Sequence, residues 1–138
     1  MRIVSVAAAA AFMLAGLSSG VAHAESAPGC GPVAQIGKTA YIGWEAGAQW
    51  ASVKQFKGCN KNWAYVYVWD SYHNGGYDYQ VSAGILTSSG TKGYRKGSNR
   101  QREVWSAGTA TLTVCTQAQG HLYDNPEYAH FANTEKRC

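Results

Sequence analysis

Residues Trp63-Ala64-Tyr65-Val66-Tyr67-Val68-Trp69 alternate strictly between large rings and small apolar side chains. Successive side chains of a β-strand point to opposite faces, so residues 62–70 read as a strand with a ring face and a small-residue face. A helix would scatter the four rings around its axis. Either face can be the buried one. With Ala64, Val66 and Val68 inward, the rings form an outer platform; with the rings inward, they are core. Trp63 and Trp69 are expected in the core. Tyr65, Tyr67, Tyr77 and Tyr79 are expected to form a half-exposed binding platform, because cross-strand tyrosines beside a turn present both a flat ring and a polar tip.

Other segments repeat the same period. Residues 50–56 alternate Ala51, Val53 and Gln55 against Ser52, Lys54 and Phe56, and the run 57–60 reads as a turn. His73-Asn74-Gly75-Gly76 is a hairpin signal, since asparagine and glycine accept the positive φ of tight turns. It predicts that residues 77–86 return alongside 62–70, with Tyr77, Tyr79, Val81, Ala83 and Ile85 on one face. Short strands are expected over 102–105 and 109–119. One helical turn is expected around 127–131. Residues 25–37, with two prolines and three glycines around Cys30, read as an irregular lead-in. The fold class is therefore all-β: a compact antiparallel β-sandwich or open barrel of about six to eight strands.

Residues 1–24 read as a signal peptide. Arg2 supplies the positive end, Ile3 to Leu17 is nearly unbroken apolar sequence, and Ala22 and Ala24 place small residues at −3 and −1 of a cleavage site. The apolar run is short for a membrane span, which needs about 20 residues. Residues 25–138 are then a single secreted β domain, and no membrane partner is expected. All four cysteines, Cys30, Cys59, Cys115 and Cys138, fall in that domain, where export favours disulfides. Four cysteines permit three connectivities. The sequential pairing Cys30–Cys59 with Cys115–Cys138 closes two local loops and is favoured; the nested pairing Cys30–Cys138 with Cys59–Cys115 is its rival. No C-x-x-C pair occurs, and no metal or cofactor is expected.

Without Arg2 the chain carries eleven Lys and Arg against eight Asp and Glu, a net charge of +3. Lys92, Arg95, Lys96, Arg100 and Arg102 fall close together among glycines and small polar residues, which predicts a mobile basic loop. Lys92, Arg95 and Lys96 are candidate binding residues for an acidic partner, although charge runs are more often simply solvated. Nucleic acid is not the expected partner. Catalytic chemistry has few footholds. No G-x-S-x-G, H-E-x-x-H or Walker loop is present. A ribonuclease-like toxin would need Glu103, His121 and His130 to converge with Arg100 and Arg102, and their spacing does not require it. No enzymatic function is expected.

Two stretches carry a resemblance. Gly58-Cys59-Asn60-Lys61-Asn62-Trp63-Ala64-Tyr65-Val66 and Thr109-Ala110-Thr111-Leu112-Thr113-Val114-Cys115 resemble small secreted proteins of actinomycetes, the YjfA-like group and, more loosely, the spore-associated type. The resemblance implies a disulfide-bonded β domain without a catalytic centre. Similar small β proteins serve as adaptor subunits of secreted toxin particles. The expected function is thus a non-catalytic interaction module that binds an extracellular protein partner as inhibitor or adaptor; the alternatives are a cell-wall or polysaccharide binder and a small ribonuclease-like toxin. The intact mass of exported protein should correspond to a chain beginning at Glu25 with all thiols oxidised; a mass retaining the first 24 residues would refute the leader.

Overall fold

The computed structural model describes residues 25–43 and 49–138; the leader assigned to 1–24 lies outside them. The described residues form nine strands and one helical turn: β1 (Glu25–Ala27), β2 (Gly31–Gly43), β3 (Gln49–Gly58), β4 (Lys61–Val68), α1 (Asp70–His73), β5 (Gln80–Thr87), β6 (Gly90–Lys96), β7 (Glu103–Trp105), β8 (Gln117–Asn125) and β9 (Tyr128–Asn133). They make two antiparallel sheets, ordered β1-β2-β3-β4-β7 and β6-β5-β8-β9. The sheets face each other and nearly close into a barrel. One seam is marked by the Lys38 amide donating to Glu135 Oε1 at 3.2 Å, the other by the Ala107 amide donating to the Gly93 carbonyl at 2.9 Å.

Pairing follows the expected alternation where the sequence is strongly periodic. β3 and β4 form a hairpin closed at Gly58↔Lys61. Its two turn residues, Cys59 and Asn60, have φ of 53° and 56°, the left-handed values that a tight antiparallel turn requires. Asparagine tolerates this conformation, and Cys59 is held in it by its bridge to Cys30. The inner faces supply one core: Ile42, Ala51, Val53, Ala64, Val66, Val68, Tyr79, Val81, Ala83, Ile85, Val104, Ala118 and Leu122. The small-residue face of β4 is therefore the inward one. At the far end the core becomes polar. Gln55 and Asn62 are buried and hydrogen-bonded to each other and to Thr116, and Asn62 also donates to Thr111. Buried amides tolerate this position because they have partners.

Both disulfides follow the sequential pairing, Cys30–Cys59 and Cys115–Cys138. Several local expectations are corrected. Residues 25–37 are not an irregular lead-in: they form β1, the tight turn 28–30 and the first half of β2, with Pro32 paired opposite Ser26 and Gly37 at a register shift. The signal at 73–76 does not make a hairpin: α1 and the following loop carry the chain across to the other sheet, so β4 and β5 face each other instead of pairing. Residues 109–116 do not form a strand; they cap the polar end of the barrel, and β8 begins at Gln117. No helical turn forms at 127–131, where β9 pairs with β8.

The sheets approach closely where Gly120 faces β3 and β4. A Cβ there would lie 2.5 Å from Val53 Cγ2 and 2.6 Å from Val66 Cγ2. Gly120→Ala should therefore overpack the core and lower stability by about 1–3 kcal/mol, read as a shift in the denaturant midpoint; an unchanged midpoint would show that the sheets can separate at no cost.

Candidate functional site

With the small residues inward, Trp63, Tyr65, Tyr67 and Trp69 stand on the outer face of the five-stranded sheet. They do not share one environment. Trp63 and Tyr65 join Ala27, Val33, Phe56 and Trp105 in a second buried cluster beneath β1 and the Cys30–Cys59 bridge. Tyr65 is only 6% exposed, and its ring lies 4.5 Å from Trp105. The cover ends at Tyr67. Beyond it Trp69 is 41% exposed and Tyr41 on β2 is 46% exposed.

The open part of this face is a groove of 370 Å³ lined by Glu25, Thr39, Tyr41, Ser52, Lys54, Tyr65, Tyr67 and Trp69. Register explains its shape. Tyr41, Ser52, Tyr67 and Glu103 are successive cross-strand partners on β2, β3, β4 and β7. Ser52, 3% exposed, forms the floor between the Tyr41 and Tyr67 rings, which stand two strand spacings apart, about 10 Å. The polar groups around it are held by partners. Lys54 donates to Glu25 Oε1 at 3.1 Å. Arg102 Nη2 donates to the Tyr67 hydroxyl at 3.1 Å and pairs with Asp70, and its guanidinium lies over the Tyr67 ring at 5.2 Å.

The other predicted binding residues lie elsewhere. Tyr79 is 2% exposed; its hydroxyl meets His73 Nδ1 at 2.7 Å and donates to the Arg100 carbonyl at 3.3 Å. The platform reading is thus corrected for Tyr65 and Tyr79, which are packed side chains. Tyr79 and Tyr67 also stand on different sheets, because the chain crosses between them. Tyr77 is 66% exposed but sits beside Tyr72 on the connection from α1 to β5, away from the groove. Trp69, expected in the core, lies at the groove.

The basic segment is not a mobile loop. Lys92, Arg95 and Lys96 lie on β6, an edge strand. Lys96 Nζ rests 4.1 Å from the centre of the Tyr123 ring, and Arg95 lines a shallow depression with Pro28, Gln101 and Glu103. The two later arginines act as clamps. Arg100 donates to the carbonyls of Tyr77 and His73 at 2.7 and 2.9 Å, and Arg102 to that of Val68 at 2.9 Å. A guanidinium has five donors in a rigid fork, which suits it to tying loop carbonyls together.

The residues required for RNA cleavage are not brought together. Glu103 lies on the outer face of one sheet and His121 on the outer face of the other, between Tyr123 and Phe131. Burial holds the His121 pKa below its ordinary value. His130 points toward Trp50 and pairs with Asp124 at 3.2 Å. Among the described residues, no group of three His, Cys, Asp or Glu is placed to hold a metal ion, and no helix is long and apolar enough to cross a membrane. No family model, curated protein or solved structure matches the chain.

Tyr41 was absent from the sequence-based candidates because β2 was hidden by its glycines. The alternation Thr39-Ala40-Tyr41-Ile42 was the available signal. Burial, then the neighbouring carboxylates of Glu103 and Glu25, push the Tyr65 hydroxyl pKa well above its ordinary value. Its ionisation therefore opposes folding: the contribution is intact below about pH 10 and is lost as pH rises toward the folded value. Stability should fall on raising pH from about 8 to about 11, and Tyr65→Phe should reduce that fall in paired denaturant titrations. Equal alkaline losses in the two proteins would show that Tyr65 ionises as freely folded as unfolded.

Proposed function

We propose that the protein is a secreted, non-catalytic binding module that holds an extracellular macromolecule in the aromatic groove of its five-stranded sheet. The observation that supports this most directly is the unequal covering of the ring face. Rings that serve only as core are sealed, as Trp63 and Tyr65 are beneath β1. Tyr41 and Trp69 stay half-exposed in a groove whose polar groups are already held in place. Large rings fixed before binding lose little entropy when a partner docks, and a few such anchors can dominate an interface. Two disulfides and an apolar leader-like start are compatible with work outside the cell. The separation of Glu103, His121 and His130 favours binding over RNA cleavage. The adaptor role implied by the resemblance to actinomycete secreted proteins is the form this function takes if the occupant is a protein.

The test is retention of material from culture supernatant and from isolated cell walls on the immobilised protein. The Tyr41→Ala/Trp69→Ala double variant should remain folded and lose retention at least about tenfold. His121→Ala, on the opposite sheet, should bind as the wild type does. Equal retention by the double variant and the wild type would remove the groove from the function.

A further inference from the structure

We infer that the occupant of the groove is a neutral polysaccharide, with a pyranose ring seated between the exposed rings of Tyr41 and Trp69. The inference rests on the binding-module reading and names the ligand class of the same site. Four features of the groove point this way.

Charge is the first. Lys54 is paired with Glu25 and Arg102 with Asp70, so the cations at the groove are already neutralised by neighbouring carboxylates. A polyanion finds no unpaired cation there, and the Glu103 carboxylate next to Tyr67 disfavours it further. The second is backbone pairing. Ser52, Lys54, Tyr65 and Tyr67 of the groove lie on β3 and β4, whose main chains are paired on both sides, while β2 beside Tyr41 is paired on its β3 side. An extended peptide adds to a sheet by hydrogen bonding along a free edge, which β3 and β4 do not offer.

The third is the mixture of surfaces. Tyr and Trp rings present flat apolar faces, to which the C–H faces of a sugar ring are complementary. Between them stand hydroxyls suited to a polyol. Arg102 donates to the Tyr67 hydroxyl oxygen, which leaves the phenolic proton directed to another acceptor. Thr39 adds a hydroxyl on β2, whose oxygen accepts from Gln35 Nε2 at 3.1 Å and whose proton is left for another acceptor. The fourth is size. At 370 Å³ the groove falls near the lower end of small-ligand sites, roughly 300–1,000 Å³. It suits a short stretch of a chain that passes across the sheet better than a folded domain.

The test is affinity electrophoresis in gels containing soluble β-1,3-glucan or starch, together with co-sedimentation on cellulose and chitin. At least one of these four neutral glycans should retard or sediment the wild-type protein. Binding should persist when salt is raised, since exposed charge attraction is screened and ring stacking is not. Trp69→Ala and Tyr41→Ala should each weaken it by about tenfold or more. A circular dichroism spectrum of each variant identical to the wild type excludes misfolding as the cause. Binding to none of the four, binding abolished by salt, or binding unaffected by either substitution overturns the inference. If a supernatant protein is instead retained in a Tyr41- and Trp69-dependent manner, the module reading stands and its occupant is a protein. If nothing depends on these rings, both readings fall together.

Discussion

The close approach of the two sheets governs the rest of the molecule. Gly120 on β8 lies against Val53 and Val66, with no room for even one added carbon. Around it the facing residues are mostly small or β-branched: Ala51, Ala64, Ala83 and Ala118 with Val53, Val66, Val68 and Val81. Such side chains pack two twisted sheets tightly and keep few rotamers to lose. Among the described residues Tyr79 is the aromatic side chain fully buried in this main core, with Trp50 and Tyr72 packed against its margin. The rings of β4 are therefore turned to the outside of their own sheet.

Rings on an outer sheet face must be covered or left to water. Part of the face is covered by the start of the described chain. β1 folds back antiparallel onto β2, and Ala27, Val33 and the Cys30–Cys59 bridge close over Phe56, Trp63, Tyr65 and Trp105. The bridge thus does more than restrict the unfolded chain: it holds the lid of a second hydrophobic cluster. Where that lid ends, the same row of alternating side chains becomes a groove. Site and secondary core are one surface, divided by how far β1 reaches.

The sequence made the central hairpin and the disulfide framework readable, because β3 and β4 are long, strictly alternating and joined by a turn with its own chemistry. It made β2, β6, β8 and β9 much less readable. Gly37 at φ 72° and Gly93 at φ 64° interrupt the period where bulges shift the register, so those strands resemble loops. The run 109–115 shows the converse failure. Its Thr, Leu and Val alternation has β propensity, yet Leu112 and Val114 are exposed and the segment caps the barrel. There the pairing of Asn62 with Thr109 and the demand of buried Gln55 and Asn62 for hydroxyl partners outweigh local preference.

The sequence by itself determined that the fold is β and that β4 has one ring face and one small face, and it favoured the sequential pairing of the four cysteines that the structure contains. Alternation and spacing are local properties, and they survive without knowledge of neighbours. Which face is buried, which tyrosines are sealed and which stay open were decided only by the tertiary structure. Tyr65 and Tyr67 are chemically alike and two residues apart, yet one lies under Trp105 and the covering strand while the other borders the groove. That difference comes from the length of β1 and from Tyr41, Ser52 and Tyr67 meeting in register across three strands. Both are relations between distant segments, and alternation along one strand carries no record of them.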